Sequence, residues 1–99
     1  MQRVIWKDKA LESLRDIYDY ISFKSPANAK KVIKEITAKA ENLSFWVEKF
    51  QKEMTIETER NIRRAVIHSY KIVYEVTPEA VFILDIFHAA QNPDKLTKL

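Results

Sequence analysis

The segment NIRRAVIHSYKIVYEV, residues 61–76, contains most of the residues that could carry out chemistry, including two adjacent arginines. A guanidinium can bind a phosphate or a carboxylate, so Arg63 and Arg64, with Arg60 just before them, are candidate binding residues. Side chains alternate along a strand, so Arg63 and Arg64 must point to opposite faces and at most one of them can serve a given site. The alternative is that both arginines are surface charges that only solvate the sheet.

Acid–base chemistry at a phosphate would also require imidazole, phenol or amine groups near such a cation. The sequence offers His68, Tyr70, Lys71 and His88. A histidine within a strand is commonly a hydrogen-bonded structural residue, which is the role we favour for His68. His88 ends the last predicted strand, where functional groups often lie, and both roles stay open for it. Two histidines without cysteine fit no standard zinc spacing, so we predict no metal site.

Composition restricts the functions that this chain can have. Its 99 residues, 46% hydrophobic and 31% charged, indicate a single globular domain over residues 1–99. The absence of glycine excludes a glycine-rich phosphate cradle, so we expect no nucleotide cofactor bound in that way. The net charge of +3 allows a nucleic acid or an acidic protein as partner and requires neither. Without a long apolar run or a signal-peptide pattern, we predict a cytoplasmic protein.

The first half of the chain has the pattern of a short strand, RVIW at residues 3–6, followed by two amphipathic helices. Asp8 is the predicted N-cap of the first helix, and Ser25 and Pro26 are the predicted N-cap and first residue of the second. Apolar residues recur at three- and four-residue steps in the first helix, at Leu11, Leu14, Ile17, Tyr18 and Ile21. They recur similarly in the second, at Ala29, Val32, Ile33, Ile36, Ala40 and Leu43. The solvated side of the second helix is expected to carry Lys30, Lys31, Lys34 and Lys39.

The second half of the chain has the composition and alternation of strands. We predict strands in EMTIET (53–58), RRAVIHS (63–69), YKIVYEV (70–76) and AVFILDIFH (80–88). In the last strand we expect Phe82, Leu84 and Ile86 on one face and Val81, Ile83 and Phe87 on the other. A strand that is apolar on both faces is either central or covered by a partner. The predicted fold class is α+β, with an N-terminal strand and an antiparallel helix hairpin packed on a twisted, mainly antiparallel sheet.

These motifs resemble the RelE/ParE superfamily of toxins from type II toxin–antitoxin modules. The resemblance covers residues 4–96, and its most specific parts are RRAVIHSYKIVYEV and IFHAAQNPDKL. It implies a bacterial growth-inhibiting toxin, associated with plasmid stabilisation, that a cognate antitoxin holds inactive. In this family the antitoxin typically lays a helix and an extended segment across the toxin. We expect no cofactor and no metal.

The superfamily has two branches with different targets, so the resemblance allows two possible targets. RelE-like members cut mRNA on the ribosome, and in that case Arg63 or Arg64 would stabilise the phosphate while His88 acts as acid or base. Lys49 and Lys52 lie where that branch places lysines or a glutamate. However, Ala89 and Ala90 occupy a gap where relatives with this ending often carry an arginine. The QNP ending is more similar to the ParE-like branch, which poisons DNA gyrase, and we favour that branch.

Three functions therefore stay open: a ParE-like toxin that binds gyrase, a ribosome-dependent mRNA endonuclease, and an antitoxin-binding member without toxicity. Recognition rather than catalysis is the role that we expect for one of the two adjacent arginines. Residues expected to contact the target or the antitoxin are Arg60, Arg63, Arg64, Tyr70, His88, Gln91 and Asn92.

Overall fold

The computed structural model describes residues 3–45 and 61–88 of the chain. The elements are, in order, β1 (Arg3–Trp6), α1 (Asp8–Ser22), α2 (Pro26–Glu41), a 3-10 helix (Asn42–Phe45), β2 (Ile62–Ile67), β3 (Tyr70–Val76) and β4 (Ala80–His88). The predicted α+β class and its order of strand, helix hairpin and sheet are confirmed. The strand predicted at residues 53–58 lies outside the described residues.

The described strands form one sheet in the order β1-β4-β3-β2. β1 runs parallel to β4, whereas β4 with β3 and β3 with β2 are antiparallel. The predicted, mainly antiparallel sheet is therefore confirmed. β4 lies between two partners, which explains why its sequence is apolar on both faces.

The prediction of which β4 side chains lie on each face of the sheet is wrong for the residues after Leu84. The register between β3 and β4 shifts between Val73 and Tyr74, which leaves Leu84 as an extra residue on β4. An extra residue of this kind is a β-bulge, and it reverses the alternation of the residues that follow. Ile86 therefore packs on the helix side of the sheet and Phe87 on the other side, opposite to the prediction.

The main core lies between the helix hairpin and the sheet. Its buried members are Ala10, Ile36, Ala40, Leu43, Ala65, Ile72, Tyr74, Val81, Ile83 and Ile86. Leu11, predicted in the buried stripe of α1, is 50% exposed, and Ala10 is fully buried instead. A small side chain at this position lets the helix backbone approach the sheet closely, which the spacing of large apolar residues alone does not indicate.

The helix starts follow local backbone chemistry. Ser25 caps α2 as predicted, because its Oγ accepts a hydrogen bond from the Asn28 backbone N–H at 3.2 Å and Pro26 follows at the first helical position. The prediction for α1 is wrong by one residue. Lys7 is the N-cap and Asp8 lies in the first turn, because the Lys7 N–H still donates to Ile83 O and keeps Lys7 extended.

The sheet face away from the hairpin carries a second, smaller apolar cluster. Its buried residues are Ile62, Val73, Leu84 and Phe87, with Phe82 packed against them. Lys7 Nζ lies 5.5 Å from the Phe82 ring centroid and Lys71 Nζ lies 5.7 Å from that of Phe87. The lysine side chains thus contact this cluster while their charges can reach water. Within the described segments, no helix is both long and apolar enough to cross a membrane.

Candidate functional site

Two of the predicted site residues meet at one end of the sheet. Tyr70 begins β3, His88 ends β4, and the strand register pairs them directly. Their ring centroids are 5.5 Å apart with an interplanar angle of 85°, an edge-to-face contact. His88 is exposed and Tyr70 is half-buried. The contact fixes both rings at the end of the sheet, where a macromolecule could reach them.

A third aromatic residue, Tyr20 of α1, lies at the same end. Its side chain is 80% exposed. Burial, and secondarily the nearby Tyr20 phenol, raise the pKa of Tyr70 above the ordinary value of 10.0. Tyr70 is therefore a neutral hydrogen-bond donor at physiological pH. We call Tyr20, Tyr70 and His88 the aromatic end. Sequence spacing missed Tyr20, because it lies 50 positions before Tyr70 in the chain.

The two adjacent arginines lie on opposite faces of β2, as alternation predicts. Arg63 shares the helix side with Ala65, which belongs to the main core, and Arg64 shares the other side with Ile62. Both arginines are half-buried, and the Nε atom of Arg63 is shielded from solvent. Their burial places the aliphatic parts of the side chains against the sheet, so neither is a fully solvated surface charge.

Arg63 and His88 are not brought together. Arg63 aligns across β3 with Ile83 of β4, whereas His88 aligns with Ile67 of β2. Four residues along the strands and two strand spacings separate the backbone positions by about 16 Å. Arg64 lies on the opposite face from the aromatic end. Of the described arginines of this segment, neither Arg63 nor Arg64 therefore lies beside His88, so the structure does not pair either of them with His88 at one phosphate.

His68 lies in a turn and not in the predicted strand. β2 ends at Ile67 and β3 begins at Tyr70, so His68 and Ser69 form a two-residue hairpin turn. His68 has a φ of 54°, the one positive value among non-glycine residues in the described segments. Its imidazole donates a hydrogen bond to the Glu35 carboxylate of α2. This contact fastens the hairpin turn to the second helix.

Asp85 is a buried carboxylate that the sequence reasoning missed. It is fully buried in β4, and its Oδ1 accepts hydrogen bonds from Ser13 Oγ at 2.5 Å and from the Ile86 N–H at 2.8 Å. Lys9 Nζ lies 4.0 Å from Oδ2. Asp85 thus ties α1 to the bulged part of β4. The available signal was one acidic residue in the otherwise apolar run AVFILDIF.

Several predicted positions cannot be placed. Arg60, Gln91 and Asn92 lie outside the described residues, as do Lys49, Lys52, Ala89 and Ala90. Lys71, a candidate acid–base residue, has its ammonium group over the Phe87 ring on the face opposite to the aromatic end. Of the predicted contact residues, the structure thus unites Tyr70 and His88 and separates both from Arg63 and Arg64.

Comparisons with known proteins agree with this architecture. Comparison with curated protein sequences gives no match. A solved structure titled "Chromosomal ParDE TA system from P. aeruginosa" contains a similar fold, with a TM-score of 0.73 and 22% sequence identity over 89% of this chain and 96% of that chain. The profile of the family described as "ParE toxin of type II toxin-antitoxin system, parDE" matches residues 4–93. The chain therefore belongs to the ParE toxin family of type II toxin–antitoxin systems, within the RelE/ParE superfamily.

Proposed function

We propose that this chain is a toxin that inhibits growth by poisoning DNA gyrase and that a cognate antitoxin neutralises it. The observation that carries this proposal is the family match over residues 4–93. The similar fold in a structure titled as a ParDE toxin–antitoxin system supports the same conclusion. Gyrase as the target and the antitoxin as the regulator are what membership of the ParE family implies.

The site geometry favours gyrase poisoning over mRNA cleavage. Cleavage by attack of a 2′-hydroxyl needs an acid, a base and a cation around a single phosphate. The backbone of Arg63 lies about 16 Å from that of His88 by strand geometry, and Arg64 lies on the other face of the sheet. Tyr70 and His88 remain as an aromatic contact, which suits recognition of a protein surface.

The surface around the aromatic end also suits a protein partner. Phe23, next to α1, is 91% exposed, and Tyr20 is 80% exposed. Large apolar side chains in solvent are typical of protein contacts, because their burial on binding supplies much of the affinity. We propose that this surface, together with Tyr70 and His88, contacts gyrase or the antitoxin.

The test for this function is induction of natural and His88→Ala chains in growing cells. We expect both chains to arrest growth, to change plasmid supercoiling and to leave mRNA intact, with a weaker effect of His88→Ala, because the variant loses one proposed contact while no step depends on imidazole chemistry. Arg63→Ala is the control variant, since Arg63 lies away from the aromatic end. Loss of toxicity in His88→Ala, with mRNA cleavage by the natural chain, would support the nuclease instead. Absence of growth arrest by the natural chain would indicate a member without toxicity.

Neutralisation is tested with the product of the neighbouring reading frame as the candidate antitoxin. A ligand present at 100 times its Kd stabilises the protein by about 2.7 kcal/mol, so we expect a clear rise in Tm of the toxin. The double variant Tyr20→Ala/Phe23→Ala should bind the antitoxin more weakly, and Val66→Ala, at a 52% exposed position on β2, is the control. An unchanged Tm of the natural chain would contradict neutralisation by that protein.

A further inference from the structure

The outer side of α2 carries three exposed lysines that face the same direction. At about 100° per residue, Lys30, Lys34 and Lys31 fall within an arc of about 100° on the helix. All three are exposed, and no ion pair involves them within the described part of the chain. We call these three residues the lysine strip. Lys30 and Lys34 are also an i, i+4 pair of like charges, which repel each other and do not stabilise the helix.

The two carboxylates of α2 are engaged in other contacts and offset the lysine strip only in part. Glu35 lies outside the arc and accepts a hydrogen bond from His68. Glu41, the last residue of α2, falls within the arc but lies about 10 Å along the axis from Lys34, and it accepts a hydrogen bond from Trp6 Nε1 at 3.1 Å. The first turn of α2 contains no acidic residue, so the positive end of the helix dipole adds to the same potential. The result is a local excess of positive charge on a chain with a net charge of only +3.

The residues between these lysines indicate which anion could bind. The remaining exposed positions of the arc are Ala27, Ala38 and, at the end of the helix, Glu41, so no large apolar side chain lies there. A protein partner would be expected to need an aromatic or aliphatic anchor at the centre of its contact. Single-stranded nucleic acid would be expected to need aromatic side chains for base stacking, and α2 contains none. The phosphate backbone of a duplex requires only cations and a surface low enough for close approach.

We propose that the lysine strip of α2 binds the phosphate backbone of duplex DNA. The Cβ atoms of Lys30 and Lys34 are about 5–6 Å apart, so the two ammonium groups can contact neighbouring phosphates of one strand. Binding of this kind is independent of base sequence. The choice of DNA over duplex RNA rests on the proposed gyrase target, at which duplex DNA is present. The aromatic end, which includes α1 but not α2, remains available for protein contacts.

The test measures binding of the purified free chain to a short DNA duplex at several salt concentrations, without gyrase. The double variant Lys30→Gln/Lys34→Gln removes two of the contacts and keeps residues of good helix propensity. Its plot of log K against log salt concentration should be less steep by about 2, because each lost phosphate contact lowers the slope by about 1. If affinities converge near 1 M salt, the variant binds about 100-fold more weakly at 0.1 M.

Arg3→Gln/Arg15→Gln is the matched control, because it removes two exposed positive charges outside the lysine strip. We expect this control to keep most of the natural salt dependence. Equal slopes and affinities for the two double variants would overturn the proposal, as would absence of DNA binding by the natural chain. Preference for duplex RNA, or loss of antitoxin binding without a change in DNA binding, would also overturn it. Since gyrase is absent, these outcomes do not depend on whether gyrase poisoning is confirmed.

Discussion

The local environment of Tyr70 makes the free energy of unfolding depend on pH in a measurable way. Burial, and then Tyr20, raise its pKa in the folded protein above 10.0. In the unfolded chain the phenol loses its proton at the ordinary pKa, so the folded state holds the proton more tightly. The contribution of Tyr70 to stability is therefore present below about pH 10 and is lost as the pH rises through the folded-state pKa.

We predict that Tyr70→Phe reduces the loss of unfolding free energy above about pH 10, because phenylalanine has no proton to release. Urea unfolding of both proteins at several alkaline pH values measures the difference. Other groups titrate in the same range, so the comparison between the two proteins isolates the contribution of Tyr70. Parallel pH profiles for the two proteins would contradict the assigned environment.

Asp85 gives a second prediction for a single residue. Asp85→Ala leaves the buried Ile86 N–H and the Ser13 hydroxyl without their acceptor, so it should lower the unfolding free energy by about 1–3 kcal/mol. Asp85→Asn keeps an oxygen acceptor and should remain closer to the natural protein. Urea unfolding near neutral pH checks both variants. An Asp85→Ala protein as stable as the natural chain would contradict the role of Asp85 in holding α1 on β4.

The residue-level outcome shows what alternation and spacing can predict. Alternation placed Arg63 and Arg64 on opposite faces without any tertiary information, because it is a property of the strand backbone. Tyr20 and Asp85 were missed for a different reason. Each acquires its partners only when α1 packs on the sheet, and the sequence separation of those partners, 50 positions for Tyr20 and Tyr70, hides the contact.

At the level of elements, the β2–β3 hairpin turn combines backbone strain with a tertiary contact. A φ of 54° at His68 is costly for a residue with a Cβ atom, by about 1–3 kcal/mol, although histidine tolerates it better than most. The hydrogen bond to Glu35 helps to offset that cost. The turn therefore depends on α2 being in place.

We predict that His68→Gly unfolds with a free energy about 1 kcal/mol higher than His68→Ala. Both variants lose the contact with Glu35, but only glycine relieves the positive φ. Glu35→Gln is the matched variant that weakens the contact and leaves the backbone unchanged. Urea unfolding ranks the three proteins. Equal stability of the glycine and alanine variants would argue against strain at this turn.

Element order could be predicted because periodicity, the Ser25–Pro26 start and the apolar strands all agreed. Element details could not. The bulge at Leu84 exchanges the faces of Ile86 and Phe87, and no residue type in β4 signals it. The N-cap of α1 is Lys7 and not Asp8, because the Lys7 N–H donates to Ile83 O and keeps Lys7 extended between β1 and α1. Both departures arise from strand pairing over a long sequence distance.

At the scale of the whole molecule, the described surface divides into two parts with different chemistry. The aromatic end joins exposed Tyr20 to Tyr70 and His88, whereas the outer side of α2 is cationic and lacks large apolar side chains. A toxin that acts on a DNA-bound enzyme would use the first surface for protein and the second for phosphate. The wide backbone separation of Arg63 from His88 argues against a compact nuclease site that contains these two residues.

Purified gyrase, plasmid DNA and this chain test the central claim most directly. We predict that the chain inhibits supercoiling, that cleaved DNA held by gyrase accumulates, and that prior addition of the cognate antitoxin prevents both effects. His88→Ala should still inhibit supercoiling in the same assay, at most at a higher concentration, because it loses one proposed contact and no chemical step. Normal supercoiling without cleaved DNA, together with mRNA cleavage by the same preparation on ribosomes, would contradict the account.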